Sequence, residues 1–311
     1  MRASVEPYIV DRAAIAAEAE ANLRDSRFEE AVALFAAAGI EPIAENRRLG
    51  KLMCNVARYT LALAVLHLDA TGGPNGEGAT ASNLRTMLTT GQFASDNWVK
   101  HGVRVFARAG YFDRFPASRD RRAIQVVPSE MMIRIAQEAI VPTLAAIGVL
   151  APLPLPAEEL ARTPGFIAAM ATHTIVPYLT DGFTSLEGFP EIRELVRHDY
   201  GWPVYCAVVA SLRREPDGTI IAEVPALALS RRTGMSRNQS RCILERFRKT
   251  GQIIEIGRGG HRVTLTPHFA DVCRRHVAHD LACWNRVVRA AAADLGLMTK
   301  TEPKSRRYSS R

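Results

Sequence analysis

Two stretches of this 311-residue chain carry side chains whose types and spacing suggest chemistry. In the first, Asn97, Lys100, His101, Arg104 and Arg108 fall on the face of a helix opposite Val103 and Phe106. In the second, Asn238, Arg241, Glu245 and Lys249 fall opposite Ile243, Leu244 and Phe247, with Arg237 and Gln239 at the flank. Ser95 and Ser236 stand where an N-cap is needed, and Gly110 and Gly251 stand near the far ends. The chemistry such faces offer is recognition. An asparagine amide pairs with adenine, Arg or Lys pairs with guanine, and surrounding cations neutralise phosphates.

The two stretches are copies of one pattern. SDNWVKHGVRVFARAGYF (95–112) lies over SRNQSRCILERFRKTGQI (236–253) without a gap, at a constant offset of 141 residues. Ser95 then meets Ser236, Asn97 meets Asn238, Lys100 meets Arg241, Phe106 meets Phe247 and Gly110 meets Gly251. Upstream of each lies a shorter helical segment, SNLRTML (82–88) or PALALS (225–230), and then a glycine-containing turn, TTGQFA or RRTGM. Downstream come two short strands around a charged tip. These are YFDRF and AIQVV about Arg119, Arg121 and Arg122, and QIIEI and RVTLT about Arg258 and Arg262. Lys and Arg outnumber Asp and Glu by 8 to 3 over residues 83–125 and by 11 to 3 over residues 231–275, so the overall charge of +8 is concentrated in the repeats.

MSRNQSRCILERFRKTGQI and TASNLRTMLTTGQFASDNWVKHGVRVFARAGYF resemble the winged helix-turn-helix regulators typified by the MarR family. The resemblance implies a mainly α fold with small β-hairpin wings, and here two modules in tandem, in a pseudo-two-fold arrangement. It departs from the family in carrying both modules on one chain and in the second wing, which is short and has no acid. The function it implies is that of a sequence-specific, double-stranded DNA-binding transcriptional regulator, as a monomeric pseudo-dimer or a homodimer. A small-molecule effector is part of the same implication, with Tyr59, Arg58 and Trp202 as its candidate lining. Two alternatives share the pattern: a plasmid-type replication initiator with tandem winged helices, and a winged-helix protein interaction module without nucleic acid.

The rest of the chain frames these modules. Residues 1–45 read as a helical segment, 46–148 as module 1, 149–199 as a proline-rich helical connector opened by APLPLP, 200–295 as module 2, and 296–311 as a basic, disordered tail. Arg237 faces Asp96 in the alignment, and a cation in that place attracts phosphate where a carboxylate repels it, so module 2 is expected to dominate affinity. Five scattered cysteines and the lack of a signal peptide or bilayer-length apolar run point to a cytoplasmic protein without a membrane partner.

Other constellations carry less. Cys273, His276, His279 and Cys283 share a helix, but Cys273 sits in an apolar stripe with Phe269, Val277, Leu281, Trp284 and Val288, so they read as core and no metal or cofactor is expected. Cys242, beside arginines on the second recognition face, reads as an exposed thiol. TGGPNGEG (71–78) lacks the Lys-Ser/Thr ending of a phosphate loop and reads as a connection. No nucleophile, base and orienting group fall in one frame, so the chain is not read as an enzyme.

Overall fold

In the computed structural model, residues 10–45, 52, 56–74, 76–90, 95–117, 122–257 and 261–298 are described. The chain is mainly helical with two small antiparallel sheets. It begins with α1 (Arg12–Arg24), α2 (Phe28–Ala38) and α3 (Glu41–Glu45). A first unit follows, made of α4 (Val56–Thr71), β1 (Ala79–Thr80), α5 (Ala81–Thr90), α6 (Asp96–Arg108), β2 (Phe112–Pro116), β3 (Ile124–Pro128) and α7 (Glu130–Leu150). The connector holds α8 (Ala157–Arg162), α9 (Phe166–Asp181) and α10 (Pro190–Val196). The second unit runs through α11 (Gly201–Ser211), β4 (Arg213–Arg214), β5 (Ile220–Glu223), α12 (Ala226–Thr233), α13 (Arg237–Lys249), β6 (Ile253–Ile256), β7 (Arg262–Leu265) and α14 (Pro267–Asp294).

The repeat extends to individual hydrogen bonds. Helices α6 and α13 start and stop at the same offset of 141 residues. Ser95 Oγ accepts from Trp98 N at 3.3 Å and Ser236 Oγ accepts from Gln239 N at 3.1 Å, which satisfies an orphan donor at each helix start. Each helix ends in a left-handed glycine, Gly110 at φ +83° and Gly251 at φ +82°. The next amide turns back onto the buried aromatic's carbonyl, Tyr111 N to Phe106 O and Gln252 N to Phe247 O, both at 3.0 Å. Past the hairpins the offset falls to 137, because the second tip is four residues shorter: Ser129 caps α7 through Met132 N, and Thr266 caps α14 through Phe269 N, each at 3.2 Å.

Strands the sequence pattern did not announce complete each sheet. β1 pairs with β3 (Ala79 with Val126) and β5 with β7 (Ala222 with Val263), giving the orders β1-β3-β2 and β4-β5-β7-β6. With only two residues, β1 shows no alternation to detect. The expected hairpins appear within a residue of their predicted limits, whereas α12 runs on through Thr233, past the turn expected at 231. Thr233 Oγ1 donates to Leu229 O at 2.7 Å, keeping the last turn helical, and Gly234 at φ +76° stops it.

Two apolar cores result. The smaller gathers Leu61, Val65, Leu84, Leu88, Val99, Phe106, Phe112 and Val126 of the first unit, with Ile175 from α9. The larger takes in the second unit together with α1, α2 and the connector, and α1 packs on α14 while α2 packs on α7 and α11. Gly39 is required at that last contact, because a Cβ there would overlap Cys206 Sγ. By length and composition α7 is apolar enough to cross a membrane. Here Met132 packs in the smaller core and Leu144, Ala146 and Ile147 in the larger, so the helix joins the two.

A polar seam crosses the same junction. On α9, Thr172 Oγ1 donates to Ala168 O and therefore accepts from Nδ1–H of His67 on α4, at 3.0 Å. The neighbouring His173 Nε2 lies 2.8 Å from Asp294 Oδ2 on α14. Further back along α14, Asp280 is buried, close enough to Tyr59 of α4 to raise the phenol's pKa further beyond what burial does. Burial pushes the Asp280 carboxyl up to about 6, against hydrogen bonds from Ser185 and Trp284 that lower it.

A carboxyl raised in this way holds a proton in the folded chain that the unfolded chain releases. Its contribution to stability is present below the ordinary value of 3.8 and is lost as pH rises through about 6. Burial has the opposite consequence for His67 and His276, lowered to about 4 and about 3, whose contribution is lost as pH falls below the ordinary 6.5. Asp280→Asn should accordingly stabilise the chain at pH 7 to 8, by an amount on the order of 3 kcal/mol, and the gain should vanish below pH 4. Urea unfolding at several pH values checks this, and a gain independent of pH would contradict it.

Candidate nucleic-acid interface

The interface begins with α6 and α13, because each buries one face and must leave the other in water. Val99, Val103 and Phe106 are buried on α6, with Phe106 stacked on Phe112 at 4.8 Å between ring centroids. On α13 the buried residues are Ser240, Ile243, Leu244 and Phe247, the last 5.7 Å from the Phe269 ring. Truncating Phe106 or Phe247 would remove about 3 to 5 kcal/mol of packing, so the polar faces are held firmly outward.

Every residue expected on those faces is exposed, except that Glu245 is half-buried. Ser95, Asn97, Lys100, His101, Arg104 and Arg108 line α6, and Ser236, Arg237, Asn238, Gln239, Arg241 and Lys249 line α13. Arg104, Arg108, Arg237, Arg241 and Lys249 make no ion pair among the described residues, so they carry undiminished charge toward solvent.

Other members of the set are engaged. Gln239 completes a capping box, its Oε1 accepting from Ser236 N at 2.8 Å, which leaves its amide NH2 to donate to an outside acceptor. Lys100 Nζ donates to Asp96 Oδ2 at 2.8 Å, one helical turn back, and this bond holds the Asp96 carboxyl below the usual carboxylate range. Glu245 is tied to Arg248 at 2.9 Å. Arg262 on β7 lies 4.0 Å from Glu215, in the hairpin before β5, and beside Glu223 in the sheet, so acids offset its charge. Arg122 is exposed at the base of the first tip, while Arg119, Arg121 and Arg258 lie outside the described residues.

The structure adds cations that helical spacing did not single out. Arg232 lies in the last turn of α12, beside the turn into α13, where the helix dipole favours positive charge. Arg246 is exposed on α13 and reaches His198 Nε2 at 3.0 Å. Arg85 on α5 lies near enough to Asp96 to help lower its pKa. The local excess of Arg and Lys was the signal for all three; position on a face was not, because it depends on how α5 and α12 sit against the following helix.

Trp202 packs against Phe35, Tyr205 and His276, and Tyr59 and Arg58 are half-buried on α4. The apolar cavity beneath α13, lined by Leu195, Val204, Tyr205, Leu244, Phe247 and Phe269, has a volume of about 10 Å³. That is room for no more than a water molecule. His276 bonds to the Tyr205 hydroxyl at 2.7 Å, and among the described residues no three His, Cys, Asp or Glu side chains converge as metal ligands would. Burial raises the pKa of the Cys206, Cys273 and Cys283 thiols, whereas Cys242 is exposed on α13.

Comparison with protein-family models, with curated proteins and with solved structures found no match to this chain.

Cys242 provides a direct probe of this surface. Brief alkylation of the native protein should label Cys242 well before Cys206, Cys273 and Cys283, as read by peptide mass spectrometry. Duplex DNA should slow that labelling. An unchanged rate at saturating DNA would remove α13 from the interface.

Proposed function

We propose that this chain binds double-stranded DNA through two winged helix-turn-helix modules in tandem, with α6 and α13 as recognition helices, and acts as a transcriptional regulator of the MarR-like kind. One observation carries the reading. The same frame of caps, buried aromatic, left-handed glycine and hairpin occurs twice, and each time it leaves an asparagine and several cations exposed on a 13-residue helix. A helix of this kind fits the major groove of B-form DNA, where the amides of Asn97 and Asn238 would address adenine and the guanidinium groups of Arg104 and Arg241 guanine or phosphate.

Within that reading the modules are unequal. On α13, Arg237, Arg241, Arg246, Arg248 and Lys249 stand against the single acid Glu245, while on α6, Lys100, Arg104 and Arg108 stand against Asp96. The second module therefore supplies more counterion release and anchors the complex. Unlike faces on one chain also call for an asymmetric or imperfectly palindromic site, read in successive major grooves.

Fluorescence anisotropy with random and genomic duplexes across a salt series tests the proposal. Binding should be present at low salt and fall steeply as salt rises. Asn238→Ala with Arg241→Ala should relax sequence preference, while Lys249→Ala should weaken all duplexes alike and reduce the salt slope by about one. Absence of binding at low salt would refute the proposal, and footprints away from promoters would refute the regulatory part alone.

A further inference from the structure

Two positions distinguish the recognition faces most sharply. Helices α6 and α13 superpose in sequence from end to end, so Asp96 occupies the place of Arg237 and Lys100 that of Arg241. Where the second module offers two cations without ion-pair partners among the described residues, the first offers a closed pair, Lys100 Nζ to Asp96 Oδ2 at 2.8 Å, with Asp96 39% and Lys100 52% exposed. The pair stands on the first turn and a half of α6, the end of a recognition helix that meets base edges.

Resting on the DNA-binding reading above, we propose that Asp96 is a specificity-determining residue, which makes the first module a discriminator of cytosine-containing sites and leaves anchoring to the second. A carboxylate brought against a duplex is repelled by phosphates and has only acceptors to offer. In the major groove its good partner is an exocyclic amino group, above all N4–H2 of cytosine. Lys100, tethered one turn away, has only donors and matches O6 and N7 of guanine. Together they present an acceptor and a donor at fixed separation, complementary to a short cytosine- and guanine-containing step. Where no amino group faces it, the carboxylate meets phosphate or another acceptor, and binding is penalised. The cations at the same places in module 2 impose no such penalty, because phosphate satisfies them everywhere.

The position of Asp96 in the sequence argues against a purely helix-stabilising role for the pair. An acid in the first turn of a helix is favourable anywhere, yet α13 dispenses with one and stabilises its start by the Ser236–Gln239 capping box instead. An acid is therefore not needed to start a helix in this frame, and at Asp96 it is placed on the exposed face.

Selection from a randomised duplex pool, together with anisotropy on random DNA, tests the assignment using the full-length protein, Asp96→Asn, Asp96→Arg and Arg237→Asp. The wild type should select sites with a fixed cytosine. Asp96→Asn should lose that preference and bind random duplex several-fold more tightly. Asp96→Arg, which places the second module's residue in the first, should bind more tightly still, with the salt slope steepened by about one. Arg237→Asp should weaken random and selected sites alike. If the wild type binds duplex with a steep salt dependence but Asp96→Asn and Asp96→Arg select the same sites with unchanged random affinity, the role of Asp96 is refuted while DNA binding stands. Failure of the wild type to bind any duplex would overturn both. Circular dichroism of each variant confirms that α6 and the remainder of the fold are retained.

Discussion

The arrangement of this chain depends on one helix held between two others. α9 lies against α4 of the first unit and α14 of the second, and consecutive residues on it serve the two sides, Thr172 bonding His67 and His173 bonding Asp294. Any displacement of α9 toward one neighbour would strip a buried polar group on the other, and an unsatisfied buried group costs about 1 to 3 kcal/mol. Apolar packing alone would tolerate sliding. The pair of hydrogen bonds sets the register of α9 on both neighbours, and α7, which enters both cores, braces the same junction.

Around that junction the two units obey one local plan with different side chains. Ser129 and Thr266 start the long helices, Val126 and Val263 fill the same sheet position, and Met132 and Phe269 fill the same place below it. What differs is what the plan leaves in water. Hairpin tip length, the added strand β4 with the acids near it, and the charge of the first helical turn all vary on the outside while the inside is held. Packing fixes the interior because each core residue has several neighbours to satisfy, whereas an exposed position answers only to whatever docks there.

The sequence was informative wherever a structure is made by near neighbours. Serine caps, terminal glycines and the alternation of apolar and charged residues are local signals, and from them α6, α13, both hairpins and the exposed faces could be read. β1 and β5 escaped notice because, unlike the equally short strands of the hairpins, each depends on a partner about 40 residues or more away. The seam was invisible for a related reason: nothing near His67 in the chain announces Thr172. For the exposed faces of α6 and α13, spacing gave the direction of each side chain but not its company, so the tie between Lys100 and Asp96 and the acids beside Arg262 emerge only with the fold. The connector looked like a string of short helices broken by prolines. Its prolines do bound or punctuate those helices, yet Leu160, Phe166, Ile192 and Leu195 within them are among the most buried residues of the larger core.

Having both units on one polypeptide, braced by α9, also changes what concentration can do. Two separate subunits would form their paired surface only above a dissociation threshold, so dilution would abolish the second contact before the first. Here the second unit is always within reach of the first, at an effective concentration set by the fold and not by the number of molecules in solution. On the DNA-binding reading, and for a chain acting as a monomer, occupancy of a two-part site would then rise with the first power of protein concentration, a graded response where an assembling pair would give a threshold.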